Sequence, residues 1–336
     1  MSNFSPSDAA RAVWRGARNH ITNRPLVVSF EVTLSCNCNC RHCDLGGIIK
    51  DEKQLKPDDF ARLTRSLNPP LVQISGGEPL LRKDIVDIVR AIKQSRGTSY
   101  LMLVTNGVLL NGRNYLQMHE AGLNQLSVSL DFPDERHDDF RRHRGLYKHL
   151  DQIIPRLAKF GYRDIILNAA ITKANLKDIL PVAQKAMDWN VSISYSAYTP
   201  LRTGDYSYFL NDEEDLEVLR KTIHELIELK KQGYCITNSK AILFDTLKFF
   251  EQGCMPNCKA GIRFFVIMPN GDFIPCSMHR NKYSCQKEMI EGFSRTNHCG
   301  GCYVAIRSYS DRSLWKSLKD APVFGKQLFT HPKEAT

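Results

Sequence analysis

Between residues 25 and 200, six short β-branched runs alternate with stretches of helical periodicity. The runs are Leu26–Thr33, Leu71–Ser75, Tyr100–Thr105, Gln125–Leu130, Asp164–Ile171 and Val191–Ala197. Between two of them, Asp84–Lys93 sets Ile85, Ile88, Val89 and Ile92 on one face, and Leu146–Phe160 is a second amphipathic stretch. Strands separated by helices imply right-handed crossovers and a parallel sheet. A closed eight-stranded barrel takes about 250 residues, more than this span offers. The expectation from the pattern is an α/β fold on a parallel sheet.

The chemistry collects at the ends of these runs. Cys36, Cys40 and Cys43 follow the first in the spacing C-x3-C-x2-C. Residues 1–24 are polar and basic, with no secretory pattern. No apolar stretch approaches the roughly 18 residues of a bilayer span. The chain is therefore read as cytoplasmic, where clustered cysteines bind metal or react rather than form disulfides. Eleven cysteines, grouped at 36–43 and 254–302 with only Cys235 between, fit that reading. Thiolates ligate iron–sulfur clusters, and three of them leave one iron of a cubane open. A zinc site is the alternative for the same thiols. Cys38 lies off the spacing and is read as a bystander, and His42 as packing beside the metal.

Further motifs agree. Ser75-Gly76-Gly77-Glu78-Pro79 ends the second run, Thr105-Asn106-Gly107 the third, and Ser127-Val128-Ser129-Leu130-Asp131 the fourth. Active sites of β/α barrels gather at such strand ends. Together with the three cysteines, these segments resemble the radical S-adenosylmethionine (SAM) superfamily, and the resemblance implies that the six strand–helix units form an α/β fold built on a partial (β/α)6 TIM-type barrel. The resemblance implies a [4Fe–4S] cluster on Cys36, Cys40 and Cys43, whose open iron binds SAM. It implies a SAM pocket lined by Gly76, Gly77, Glu78, Pro79 and Asn106. Ser129 and Asp131 would lie near the sugar or carboxylate of SAM. No catalytic side chain is assigned.

Beyond residue 232 the pattern changes. Residues 211–232 and 239–252 read as helices, and Arg263–Met268 and Asp272–Cys276 flank Pro269-Asn270-Gly271, a strong hairpin signal. Cys258, Gly271 and Cys276 follow C-x12-G-x4-C, and Cys299-Gly300-Gly301-Cys302 comes later. This layout resembles the shortened SPASM module called Twitch, a small C-terminal β-hairpin/α iron–sulfur module. By that resemblance Cys258, Cys276, Cys299 and Cys302 hold an auxiliary [4Fe–4S] cluster. Cys254 and Cys285 offer alternative registers, and a zinc ribbon is the other chemistry for four such cysteines. The chain then divides into a basic N-terminal segment (1–24), a core barrel (25–232), an auxiliary module (233–310) and a tail (311–336).

The resemblance implies an enzyme that cleaves SAM reductively and abstracts hydrogen from an unactivated C–H bond, with a flavodoxin or ferredoxin as electron donor. The leading expectation is net oxidation of a small molecule, in cofactor, tetrapyrrole or bacteriochlorophyll, lipid or natural-product biosynthesis. Modification of a ribosomal peptide is the second. Tyr195, Tyr198, Arg202, Arg263 and His279 are offered to the substrate, with packing as their alternative role. The formal charge of +10 favours an acidic partner, but no nucleic-acid module is visible. A non-enzymatic zinc protein that binds nucleic acid would explain charge and cysteines, not Gly-Gly-Glu-Pro. Finally, residues 7–21 pattern as a helix with Ala10, Val13, Trp14, Ala17 and Ile21 opposite Arg11, Arg15 and Arg18. Such a helix either packs on the barrel or makes a peripheral contact with an anionic membrane.

Overall fold

The computed structural model describes residues 3–313. Residues 1–2 of the N-terminal segment and 314–336 of the tail lie outside the described residues. The six expected strands form within a residue of their expected bounds: β1 (Val27–Thr33), β2 (Leu71–Gly76), β3 (Tyr100–Thr105), β4 (Gln125–Ser129), β5 (Ile165–Ile171) and β6 (Ser192–Ala197). Helix α1 (Pro6–Ile21) precedes them. The crossovers carry α2 (Pro57–Leu67), α3 (Ile85–Gln94), α4 (Gly112–Glu120), α5 (Arg136–Arg141), α6 (Leu146–Ala158) and α7 (Ile179–Asp188). All six strands are parallel, and the sheet is an open partial barrel rather than a closed one.

The remaining elements are α8 (Glu213–Lys231), α9 (Lys240–Gln252), β7 (Phe264–Ile267), β8 (Phe273–Ile274), α10 (Gln286–Gly292) and α11 (Ala305–Ser310). The expected hairpin is β7–β8, turned at Asn270-Gly271 with Gly271 at φ +95°. Its first arm does more than face its partner. Strand β7 pairs in parallel with β1, Val27 opposite Phe264, so the sheet runs β6-β5-β4-β3-β2-β1-β7-β8. The cysteine-bearing hairpin is thereby fixed to the first strand of the barrel.

Period-two alternation decides what faces the lumen. On β2, Val72 and Ile74 are fully buried beneath the helices, while Gln73 and Ser75 face inward. On β5, Leu167 is buried and Asn168 faces inward, and on β6 Ser194 and Ser196 do so. A barrel core packed for stability carries bulky branched residues inside. This lumen carries serine, asparagine and glutamine beside Met102, Val104 and Ile166, a mixed lining that suits a ligand cavity. Outside, the α3 stripe Ile85, Ile88, Val89 and Ile92 is buried as its spacing requires. Each such side chain contributes roughly 1.5–3 kcal/mol, and Val89→Asp would break the stripe.

Helix α1 departs from the usual arrangement. It begins with a capping box between Ser5 and Asp8. Its bonds to the barrel are polar: Asn19 donates to Pro25 O (2.8 Å) and Asn68 O (3.0 Å), and Arg15 to Arg96 O (3.2 Å). The bulky apolar residues Val13, Trp14 and Ile21 are exposed by 46, 64 and 72%. Among the described residues, no helix is long and apolar enough to cross a membrane.

Candidate functional site

The first cysteine loop leaves β1 and is tied down on three sides. Cys36 N donates to Gly47 O (2.9 Å), Arg41 N to Phe140 O (3.0 Å), and Glu52 receives Thr33 Oγ1 (2.5 Å) and Leu34 N (2.6 Å). All eleven cysteines are free. Cys36 and Cys40 are buried and Cys43 is half-buried. Cys38, off the ligand spacing, is buried too. Its thiol hydrogen bond to Cys40, aided by Arg141, makes Cys40 the more acidic of the two. Thiolates are the ligating form, and of this pair Cys40 is the one more readily ionised. His42 stacks on Phe140, ring centroids 4.6 Å apart.

The Gly-Gly-Glu-Pro segment lies directly on this loop. Gly77 N donates to Thr33 O (2.7 Å) and Glu78 N to Ser35 O (2.8 Å). A Cβ on Gly76 would stand 2.2 Å from Thr33 O, and one on Gly77 2.0 Å from Ser35 O. The glycines' close approach is thus to the backbone that carries Cys36. Glu78 is fully buried and accepts from Thr105 Oγ1 (2.7 Å), Asn106 N (2.7 Å) and Leu80 N (3.0 Å). Burial pushes its carboxyl up to about 7 against those three donors. Pro79, also buried, opens a short 3-10 turn. Asn106 donates to Asn37 Oδ1 (2.7 Å) and lies 3.8 Å from Cys36 Sγ. Gly76, Gly77, Glu78 and Asn106 therefore form one network around Cys36.

Ser129 lines the lumen, but Asp131 does not reach it. The Asp131 carboxylate is fully buried, accepting from Arg141 Nε (2.7 Å) and Ala170 N (3.2 Å). Arg141 is the group that faces the lumen, with Nη1 3.8 Å from Cys40 Sγ. Sequence reading passed over Arg141, because no motif marks a residue ten positions beyond Asp131 on a separate helix.

Four of the later cysteines line one cavity. Cys258 precedes β7, Cys276 follows β8, and both line the lumen with Cys299 and Cys302. Cys254 and Cys285 are exposed and are not part of that wall. His279 N donates to Cys276 Sγ (3.3 Å), and its Nε2 lies 3.4 Å from Cys299 Sγ. The fully buried Arg307 donates Nη1 to Cys302 O (2.6 Å) and stands 3.9 Å from Cys302 Sγ. Burial pushes Cys258 and Cys276 up to about 12, so binding a metal there would release protons. Among the described residues, no three His, Cys, Asp or Glu side chains converge closely enough to hold a single ion.

One cavity of about 480 Å³ connects these parts. Ser129, His42 and Arg141 line one side, and the four later cysteines with His279 line the other. Glu31 on β1 also lines it, held by Arg280 (2.6 Å) and Ser277 (3.3 Å) from the hairpin's continuation. Of the residues offered to a substrate, Arg202 and His279 line the cavity. Tyr195 and Tyr198 are buried and donate to Ile179 O and Asp205 O. Arg263 immediately precedes β7, outside the cavity lining, and contacts His20 and Arg312 O. Those three are packing residues.

Residues 30–186 match the family model described as the Radical SAM superfamily. An AdoMet-dependent heme synthase of Methanosarcina barkeri is 30% identical over 227 residues, 63% of this chain and 61% of the relative. A GTP 3',8-cyclase of Limosilactobacillus fermentum is 31% identical over 182 residues, 52% of this chain and 54% of the relative. The chain thus spans little more than half the length of these two relatives. Streptococcus suis SuiB bound to its precursor peptide SuiA superposes with a TM-score of 0.62 at 18% identity, covering 97% of this chain and 72% of SuiB. His-tagged anSMEcpe with bound AdoMet gives 0.56 at 17%, covering 91% and 84%. At these identities the two structures speak for the fold.

Proposed function

The chain belongs to the radical SAM superfamily through residues 30–186, and we propose that it is an iron–sulfur enzyme oxidising a small molecule held in the barrel lumen. Cys36, Cys40 and Cys43 are free, buried or half-buried, and grouped on one tied-down loop, which suits a cluster with one open iron. When bound, that cluster supplies the electron that splits SAM into methionine and the 5'-deoxyadenosyl radical. The Gly76–Glu78–Asn106 network fixes the cluster loop. Ser129 and Arg141 offer a hydroxyl and a guanidinium to SAM from the lumen wall, with Asp131 holding Arg141 in place. Lumen walls exclude water from the reacting centre.

One observation carries the reading. The groups beside the first cysteine loop and the four cysteines of the second share a single cavity of about 480 Å³. Cys258, Cys276, Cys299 and Cys302 would hold a second cluster beside the substrate, placed to take an electron from it. A flavodoxin or ferredoxin would reduce the first, in a reducing, cytoplasmic compartment that keeps these thiols free. The heme synthase and GTP cyclase relatives are named for small molecules, which favours a small-molecule substrate over a peptide.

The test is anaerobic purification, assay of iron and sulfide per chain, and assay of 5'-deoxyadenosine after dithionite and SAM are added. The reading expects about eight irons for two cubanes, falling to about four when Cys258 and Cys276 are replaced. Deoxyadenosine should form in the wild type and disappear in Cys40→Ala. Zinc without iron, and no SAM cleavage, would overturn it.

A further inference from the structure

Helix α1 is attached to the barrel by its polar stripe, and its bulky apolar residues face outward. Its inward contacts include those of Arg15 and Asn19 with Arg96, Pro25 and Asn68, and of His20 with Arg263. Arg96 and Asn68 belong to the loops that enter β3 and β2, at the N-terminal ends of the strands. Outward stand Val13, Trp14 and Ile21, with Trp14 exposed by 64%. A helix kept only for packing would turn these inward. Arg18 lies over the Trp14 ring, 5.2 Å from its centroid, and the exposed Arg11 pairs with Asp8. Arg15 and His20 turn to the barrel, so Arg11 and Arg18 are the basic groups beside the outward face, in a chain of formal charge +10.

We propose that this face docks on a membrane surface bearing anionic lipid headgroups. Tryptophan and aliphatic side chains entering the headgroup boundary, with flanking basic groups such as Arg11 and Arg18 on anionic headgroups, are the chemistry of interfacial helices. Three exposed apolar side chains make a small patch, so the attraction depends strongly on charge and is screened by salt. The cysteine loops stand at the C-terminal ends of the strands, so docking by α1 leaves the lumen mouth open. The inference is independent of the proposed chemistry.

The experiment is co-sedimentation of the full chain with vesicles of phosphatidylcholine alone or mixed with phosphatidylserine, at low and high salt. Sedimentation velocity without lipid runs in parallel. The proposal expects binding to the phosphatidylserine vesicles, loss of most of it at high salt, and a fall of about tenfold in Val13→Ser/Trp14→Ser/Ile21→Ser. Those side chains are solvent-exposed, so the variant should melt like the wild type, and its SAM cleavage should be unchanged. Absence of binding at low salt, equal binding to both vesicles, or unchanged binding by the triple variant would overturn it. A dimer in lipid-free solution that the triple variant abolishes would also overturn it, by making a second copy the occupant.

Discussion

Arg141 closes on Asp131 at 2.6 Å, Nη2 to Oδ2, with the carboxylate wholly buried and the guanidinium turned toward both Cys40 and the lumen. Asp131 therefore acts on the site through Arg141. Removing one partner of a buried pair costs roughly 3–5 kcal/mol, so Asp131→Asn should lower the urea midpoint by that equivalent. Burial alone would raise the Asp131 carboxyl; Arg141, His42 and His137 together outweigh it and the net shift is down. A lowered acid adds stability above its unfolded pKa, about 3.9, and loses it as pH falls through the folded value. The wild type should lose this stability below about pH 4, and Asp131→Asn should lack that part of the acid limb. Equal midpoints for the two chains would show that the pair does not hold the site.

Glu78 gives the opposite slope. Burial raises its carboxyl from 4.5 to about 7. Between those values the folded chain binds more protons than the unfolded one, so stability falls as pH rises. The shift is worth on the order of 3 kcal/mol, complete once pH passes the folded value. Burial lowers His42 to about 4 and His137 to about 3, which adds an opposite slope in the same window, so the Glu78 contribution is read by difference. In urea titrations of the SAM-free chain from pH 4.5 to 7.5 (about the span of the shift), the stability of the wild type minus that of Glu78→Gln should fall as pH rises. A difference that rises instead would mean that the three donors to Glu78 win over burial.

Gly77 has no room for a methyl group. Its Cβ would meet Ser35 O at 2.0 Å and Ser35 C at 2.6 Å, both backbone. Gly77→Ala must therefore push the Cys36 loop away from the end of β2. We expect a loss of 1–3 kcal/mol, about the cost of overpacking, with iron at the first site reduced. Gly112→Ala, with open space around the Cβ, is the control. Iron content and melting temperature together check this, and a Gly77→Ala chain with full iron would refute the steric argument.

The barrel was legible because each strand announces itself twice, by β-branched composition and by a helix-periodic interval after it. Cysteine spacing likewise exposed both thiol groups before any contact was known. What stayed hidden are partnerships made across the chain. Nothing local to Phe264 predicts parallel pairing with Val27, 237 positions earlier. Nothing near Asp131 predicts that its charge goes to Arg141 rather than to the lumen, or that Glu31 meets Arg280, 249 positions away. Tyr195 and Tyr198 looked available because aromatic hydroxyls suit ligands, yet both hydroxyls donate to backbone carbonyls. Periodicity placed the α1 stripes correctly and could not say which one would face the barrel.

Arg307 is a clip for the second cysteine site. Wholly buried, it donates to Cys302 O at 2.6 Å, to Pro256 O at 3.0 Å, to Met255 O, and through Nε to Asp311 Oδ2 at 2.9 Å. Asp311 in turn accepts from Lys259 N at 3.1 Å. One side chain thus joins the backbone on both sides of Cys258 to that of Cys302, and sets a positive charge beside thiols that must ionise to bind metal. Lysine keeps the charge but not the fork that reaches several acceptors. Arg307→Lys and Arg307→Met should both lose iron from the second site, with total iron falling from about eight to about four per chain. The first site, held by another loop, should keep its iron and its SAM-dependent change in the electron paramagnetic resonance spectrum. If Arg307→Lys retains all the iron with an unshifted reduction potential while Arg307→Met does not, charge rather than geometry is what the site needs. If both retain it, Arg307 is only a packing residue. A wild type with about four irons would instead refute the second cluster itself.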